Sequence, residues 1–80
     1  MNKTNFIKAV AKRQGITPQK ASCEVNDVMD TLRVILSSGE DVQLGGFGTF
    51  EMLTDLRGER IPVFKGGKAL RKVLNTIKEE

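Results

Sequence analysis

The chain of 80 residues has no histidine, tyrosine or tryptophan, and Cys23 is its one cysteine. Acid–base and nucleophilic catalysis most often needs a histidine, or a cysteine with a base beside it. A single cysteine also excludes an internal disulfide, and the histidine and cysteine clusters that bind structural metals are missing. An enzyme is therefore the least favoured class, and the sequence predicts neither a metal site nor a cofactor.

Long apolar runs are missing as well. Hydrophobic residues make up 39% of the chain, but they occur in short periodic groups, whereas a membrane-spanning helix needs about 20 consecutive apolar residues. The N-terminus carries no signal-peptide pattern. We therefore expect a cytoplasmic protein, in which Cys23 stays reduced and half-buried on a helix.

Positive charge is scarce in the middle of the chain and abundant at its ends. Residues 1–20 hold five basic residues and no acid, residues 21–56 hold one basic residue against seven acids, and residues 57–80 hold seven against three. The net charge is only +3. This distribution favours a polarised surface that binds a polyanion, although a mixed, solvated surface would also tolerate it.

Two helices are predicted in the first half. Thr4 is placed to cap the first helix and Gly15 to end it. Thr17 is placed to cap the second, with Pro18 at its first position, where a missing N–H costs nothing. This helix is expected to run to about Ser38. Its apolar face consists of Ala21, Val25, Val28, Met29, Leu32, Ile35 and Leu36.

That face is too broad for the shorter first helix to cover. Because so short a chain buries a small fraction of its surface, a second copy is the natural cover, and we predict a homodimer. The predicted interface takes side chains from the second helix and from the strands that follow it. These are Val25, Val28, Met29, Leu32, Leu44, Phe47 and Phe50.

The second half is predicted to form three short antiparallel strands and a last helix. Residues 42–53 read as two strands around a glycine turn, and residues 55–58 fit a type I turn, with aspartate first and glycine fourth. Residues 61–64 form the return strand, where Pro62 requires an edge or a bulge. The apolar face of the last helix consists of Leu70, Val73, Leu74 and Ile77.

The start of that helix is crowded with cations, namely Lys65, Lys68, Arg71 and Lys72. Positive charge there opposes the helix dipole by about 0.3–1 kcal/mol per group. A bound phosphate would remove the conflict, because bare N–H groups at Gly66 and Gly67 would point toward it together with the lysines. The alternative is that the lysines only keep a small protein soluble.

Three stretches resemble the bacterial histone-like HU and integration host factor family. They occur in the family's order and are Met-Asn-Lys-Thr at residues 1–4, Val-Gln-Leu-Gly-Gly-Phe-Gly-Thr-Phe-Glu at 42–51, and Val-Phe-Lys-Gly-Gly-Lys-Ala-Leu at 63–70. The resemblance implies one α+β domain over residues 1–80, with a helix-turn-helix-like hairpin, a three-stranded sheet, a C-terminal helix and an intertwined homodimer. It also implies a nucleoid-associated protein that condenses DNA, in a bacterium or encoded by a phage in a bacterial host.

Carried over residue by residue, the resemblance implies that the body of the protein contacts the DNA backbone. The residues are Lys3, Thr4, Gly46, Phe47, Gly48, Lys65, Gly67, Lys68 and Arg71. Phe47 and Phe50 would also serve the core and the dimer interface. Arg57 and Arg60 can touch a phosphate from the hairpin that joins the last two strands.

The sequence departs from the family at that hairpin. HU-like proteins extend these two strands into a long basic arm with a proline wedge at its tip, but here only residues 52–60 separate Glu51 from Ile61. Leu56 is expected to cap the hairpin or to pack on a neighbouring chain. Gly45 and Gly66 also replace a large aliphatic residue and a proline that are usual in the family.

The leading hypothesis is thus an armless HU-like homodimer that binds double-stranded DNA with little sequence preference and bends it weakly or not at all. The alternative is a protein-interaction module that pairs with a full-length HU-like protein, or another partner, and modulates its DNA binding. Neither hypothesis involves a membrane or a small-molecule substrate.

Overall fold

The computed structural model describes residues 1–76, which form three helices and one three-stranded antiparallel sheet. The predicted α+β architecture is confirmed. In chain order the elements are α1 (Lys3–Gln14), α2 (Pro18–Ser37), β1 (Val42–Leu44), β2 (Gly48–Thr54), β3 (Arg60–Gly66) and α3 (Lys68–Thr76). Ile77, a predicted member of the apolar face of the last helix, lies outside the described residues.

The chain divides into two compact units. Met1–Leu32 is the first and holds α1 and most of α2, and the second begins at Arg33 and holds the end of α2, the sheet and α3. The assignment of the whole chain to one domain stays a prediction. Within residues 1–76, no helix combines the length and the apolarity needed to cross a membrane.

The first helix is capped by Asn2, so the prediction of Thr4 as its cap is wrong. The Asn2 side chain accepts a hydrogen bond from the backbone N–H of Asn5 at 2.8 Å. Asparagine is at least as good a cap as threonine, and it comes two residues earlier, which leaves Thr4 inside the first turn. Gly15 ends the helix as predicted, with φ of +68° and its N–H donated to the Ala11 carbonyl.

The second helix begins at Pro18, as predicted, and the Thr17 hydroxyl accepts the N–H of Lys20 at 3.2 Å. The helix ends at Ser37, one residue before the predicted end. Gly39 follows with φ of +92°, and its N–H donates to the Leu36 carbonyl at 3.0 Å, which closes the last turn.

Three small side chains are the buried hydrophobic residues among those described: Ala11, Ala21 and Val25. Ala21 and Val25 are four residues apart and therefore lie on one face of α2. Cys23 falls between them in sequence, on the opposite side of the helix, and it is exposed. The prediction of a half-buried Cys23 is therefore wrong.

The three strands lie in the order β1-β2-β3, so that β3 is an edge strand. Pro62 pairs with Met52 on this edge, as its missing N–H requires. The β3 strand is longer than predicted because its pairing with β2 runs from Gly48 opposite Gly66 to Thr54 opposite Arg60.

Three phenylalanine rings pack together on the sheet. The ring centroid of Phe64 lies 5.2 Å from that of Phe47 and 4.9 Å from that of Phe50.

A tight turn closes β2 and β3, and Asp55 organises it. The Gly58 N–H donates to the Asp55 carbonyl at 3.0 Å, while the Asp55 carboxylate accepts the N–H groups of Arg57 and Glu59 at 2.9 Å each. The predicted turn is confirmed. Leu56 projects from it fully exposed, so the prediction that it caps the hairpin is wrong. Its packing on a neighbouring chain stays a prediction.

The hairpin is fastened at its base to the end of α2. The guanidinium of Arg60, through Nη2, donates to the carbonyl oxygens of Leu36 and Ser37 at 2.9 Å each. The last carbonyls of a helix have no partner within the helix, and a cation there is favoured by the helix dipole. Arg60 thus satisfies the end of α2, a role that sequence reasoning missed.

Candidate nucleic-acid interface

An open cleft of about 490 Å³ lies between the β1–β2 turn and the start of α3. Its walls come from the end of β1, the glycine turn, the start of β2 and residues 67–69. The turn is tight, because the Phe47 N–H donates to the Leu44 carbonyl at 2.9 Å. Gly46 has φ of +85°, and a Cβ at Gly45 or Gly46 would have no heavy atom within 4 Å. The backbone of the turn is therefore open to an incoming group.

The opposite wall is the positive end of α3. The first hydrogen bond of the helix joins the Arg71 N–H to the Gly67 carbonyl at 3.0 Å, so the N–H groups of Lys68, Ala69 and Leu70 have no acceptor within the helix. Its first turn contains no acid. The exposed Lys68 adds a positive charge at this point. Such a helix start binds anions, and phosphate in particular.

The N–H of Gly67 is not bare, so this part of the predicted phosphate site is wrong. It donates to the Phe47 carbonyl at 2.9 Å and thereby extends the β2–β3 ladder by one step. Hydrogen-bonded and non-hydrogen-bonded pairs alternate along an antiparallel ladder. Because Gly67 and Phe47 form a hydrogen-bonded pair, the next pair, Gly66 and Gly48, is not hydrogen-bonded, and the Gly66 N–H points away from β2. The Gly67 bond instead holds the glycine turn against the helix start.

Gly48 is buried, and because it has no side chain, β3 can lie close to β2 at this position. A Cβ there would lie 2.5 Å from the Lys65 carbonyl oxygen and 2.5 Å from the ring of Phe64. Gly48 therefore lets β3 and the Phe64 ring close on β2 beneath the cleft. Phe47 is 47% exposed at the rim.

One row of side chains crosses the sheet beside the cleft. Gln43 pairs with Thr49, and Thr49 pairs with Lys65, which places the three on the same face. Gln43 and Thr49 line the cleft. The Lys65 ammonium forms an ion pair with Glu51, with 3.2 Å between Nζ and Oε1.

The structure brings together only some of the residues that the resemblance implied as DNA contacts. Five of them line the cleft: Gly46, Phe47, Gly48, Gly67 and Lys68. Lys65 and Arg71 lie on the elements that flank it. Arg57 and Arg60 lie at the opposite end of β2 and β3, roughly 20 Å away at 3.3 Å per residue. Lys3 and Thr4 belong to the first compact unit.

The residues predicted for the dimer interface differ in exposure. Val25 is already buried in the single chain, and Leu32 and Phe50 are half-buried. The others are exposed, namely Val28 (61%), Met29 (39%), Leu44 (40%) and Phe47 (47%). Large apolar side chains are thus left uncovered by the chain itself.

The fold and the cleft define a class, that of small α+β proteins with an open, glycine-rich cleft that carries a cation. The cleft holds no titratable side chain other than Lys68, and residues 1–76 contain no group of three or more potential metal-ligating side chains. A family model described as "Bacterial DNA-binding protein" matches residues 1–55. The chain belongs to this family, whose named relatives are HU proteins.

Known relatives support the assignment over nearly the whole chain. DNA-binding protein HU of Staphylococcus aureus is 36% identical, with 89% of this chain and 96% of the relative covered. Among solved structures, an HU mutant from Thermotoga maritima matches with a TM-score of 0.81 and 35% identity, covering 92% of this chain and 99% of that one. An Anabaena HU–DNA cocrystal structure matches with a TM-score of 0.76 and 29% identity, covering 92% and 97%.

The comparisons also bear on the short hairpin. The alignment with the Staphylococcus relative extends over 86 positions but uses only 89% of the 80 residues here. The family match ends at residue 55, which is the first residue of the β2–β3 turn. This chain is therefore shorter than the relative within the aligned region.

Substitution at two glycines tests the geometry of the cleft. Gly48→Ala is expected to destabilise the protein by about 1–3 kcal/mol, because the added methyl overpacks against the Lys65 carbonyl and the Phe64 ring. The matched control is Gly45→Ala, which adds the same methyl where nothing lies within 4 Å. Urea unfolding followed by circular dichroism measures both. Equal stabilities of the two variants would contradict the packing role of Gly48.

Proposed function

We propose that this protein binds double-stranded DNA through backbone phosphates, with little sequence preference, as an armless HU-like homodimer in the bacterial nucleoid. The observation that carries the proposal is the cleft, in which the positive end of α3 and the Lys68 side chain face the open glycine turn. All three features favour an anion. The relatives named above are DNA-binding proteins, and one of them was crystallised with DNA.

The chemistry of the cleft supports phosphate contacts over reading of the bases. Four of its ten lining residues are glycines, and its one charged side chain is Lys68. Phosphate contacts position a protein on the duplex but carry no sequence information, which is read by side chains that reach base edges in the grooves. We therefore infer non-specific binding that depends strongly on salt.

The uncovered apolar surface supports the homodimer. Three small residues form the buried hydrophobic set among those described, whereas α3 presents Val73 and Leu74 at 59% and 58% exposure. A second copy would cover these surfaces together with the exposed apolar residues of α2 and the glycine turn. Homodimers with such apolar interfaces often have no stable folded monomer.

Unfolding is expected to depend on protein concentration, because the folded state is a dimer and the unfolded state is not. The midpoint of urea unfolding is therefore expected to rise as the protein concentration increases from about 1 to about 100 μM, because a hundredfold change adds about 2–3 kcal/mol to the apparent free energy of unfolding. Sedimentation equilibrium measures the mass directly. A folded monomer throughout this range would contradict the dimer.

Lys68→Glu is expected to weaken duplex binding by at least roughly tenfold at low salt, because it replaces a phosphate-binding charge with a repelling one. Circular dichroism is expected to show an unchanged fold, since Lys68 is exposed at a helix start. The control is Lys20→Glu, which makes the same charge change in the first turn of α2. Fluorescence anisotropy with a labelled duplex, at several salt concentrations, measures both.

If Lys68→Glu binds the duplex as tightly as the parent protein, the cleft does not contact DNA. If the parent protein forms a folded dimer but does not bind a duplex at low salt, the DNA-binding proposal fails. The interaction-module alternative, pairing with a full-length HU-like protein, would then be favoured.

The duplex is expected to stay nearly straight in the complex. The hairpin after β2 ends in a tight turn, with no ribbon to wrap the DNA, and bending a site of 20–30 base pairs costs of order 1–6 kcal/mol. Energy transfer between dyes on the two ends of a duplex of about three helical turns measures the bend. A large decrease in end-to-end distance at saturation would show that bending does not require an arm.

A further inference from the structure

The ion pair between Lys65 and Glu51 joins a residue implied in DNA binding to an acid of the same sheet face. The two side chains lie on neighbouring strands, with 3.2 Å between Nζ and Oε1. Lys65 is the more exposed partner, at 68% of its side chain against 29% for Glu51. The lysine is therefore open to solvent while one of its donors is directed at a carboxylate.

The pair is adjacent to Thr49, which lines the cleft. Lys65 is the third member of the row that begins with Gln43 and Thr49, both of which line the cleft. Glu51 follows Thr49 by two residues on β2 and so projects from the same face. A phosphate that approaches this flank of the cleft meets the ammonium of Lys65 and the carboxylate of Glu51 together.

We propose that Glu51 is an internal competitor of DNA, which occupies Lys65 in the free protein and so limits both the affinity and the salt dependence of binding. The inference rests on the proposed DNA binding. Exposed ion pairs of this kind are weak, so a phosphate can replace the carboxylate. Binding of a phosphate to the paired Lys65 is nevertheless less favourable than binding to an unpaired lysine, because the ion pair must first be broken. It also leaves the negative charge of Glu51 beside the phosphate.

Counterion release gives the exchange a distinct signature. A lysine that neutralises a phosphate steepens the dependence of log K on log salt by about 0.9. A lysine that leaves a carboxylate for a phosphate makes a smaller net contribution, because the freed carboxylate gathers cations in turn. Removal of the carboxylate is therefore expected to raise both the affinity and the salt slope.

Glu51→Gln is the direct test, since glutamine keeps the size of the side chain and one acceptor oxygen but removes its charge. We expect duplex affinity at low salt to rise roughly three- to tenfold and the salt slope to steepen, by at most about 0.9 per subunit that contacts DNA. The matched control is Glu40→Gln, which removes the same charge from the segment between α2 and β1. Titrations follow a labelled duplex by anisotropy, with circular dichroism as a check on folding.

The double variant Glu51→Gln/Lys65→Gln separates competition from simple repulsion. If Glu51 acts through Lys65, the gain disappears in the double variant, and Lys65→Gln costs more affinity in the Glu51→Gln background than in the parent. A gain that persists without Lys65 overturns the proposal, as does unchanged or weaker binding by Glu51→Gln. An equal gain in Glu40→Gln also overturns it, because only net charge would then matter. Absence of duplex binding by the parent is a failure of the proposed function instead.

Discussion

The hydrogen bond between the Gly67 N–H and the Phe47 carbonyl holds the glycine turn against the start of α3. It joins the turn after β1 to the residue that precedes α3, at 2.9 Å, and it depends on Gly48, where any Cβ would clash with β3. Without that close approach the open turn and the positive helix end would not face each other. The register of the β-sheet therefore sets the shape of the cleft, and the cations add positive charge to it.

Features governed by neighbouring residues were predictable from the sequence. Gly15 ends α1 with a positive φ, Pro18 begins α2 behind its threonine cap, and the hairpin closes at Asp55. Each follows from the preference of one residue type for one backbone position. The error at Thr4 has the same origin, because two good capping residues lay two positions apart and local preference could not choose between them.

Features that depend on pairing between distant residues were not predictable in this way. The partner of the Gly67 N–H and the Glu51–Lys65 ion pair follow from the register of the strands. The bonds of Arg60 follow from where the start of β3 meets the end of α2. The cationic start of α3 could still be found, because lysines there oppose the helix dipole and so indicate an anion. Sequence patterns thus identified the charged wall of the cleft and misassigned the Gly67 N–H.

The bonds of Arg60 to α2 also have a consequence for how the chain tolerates changes in length. They fix the last pair of the β2–β3 ladder, while residues 55–59 close the hairpin with hydrogen bonds of their own. The turn at residues 55–59 is thus held independently of the cleft, which lies at the other end of the strands. Doubling the length of a flexible loop costs only about 0.6 kcal/mol, so the tip is a natural insertion point, where a grafted ribbon, an epitope or a reporter group would leave the rest of the sheet in register.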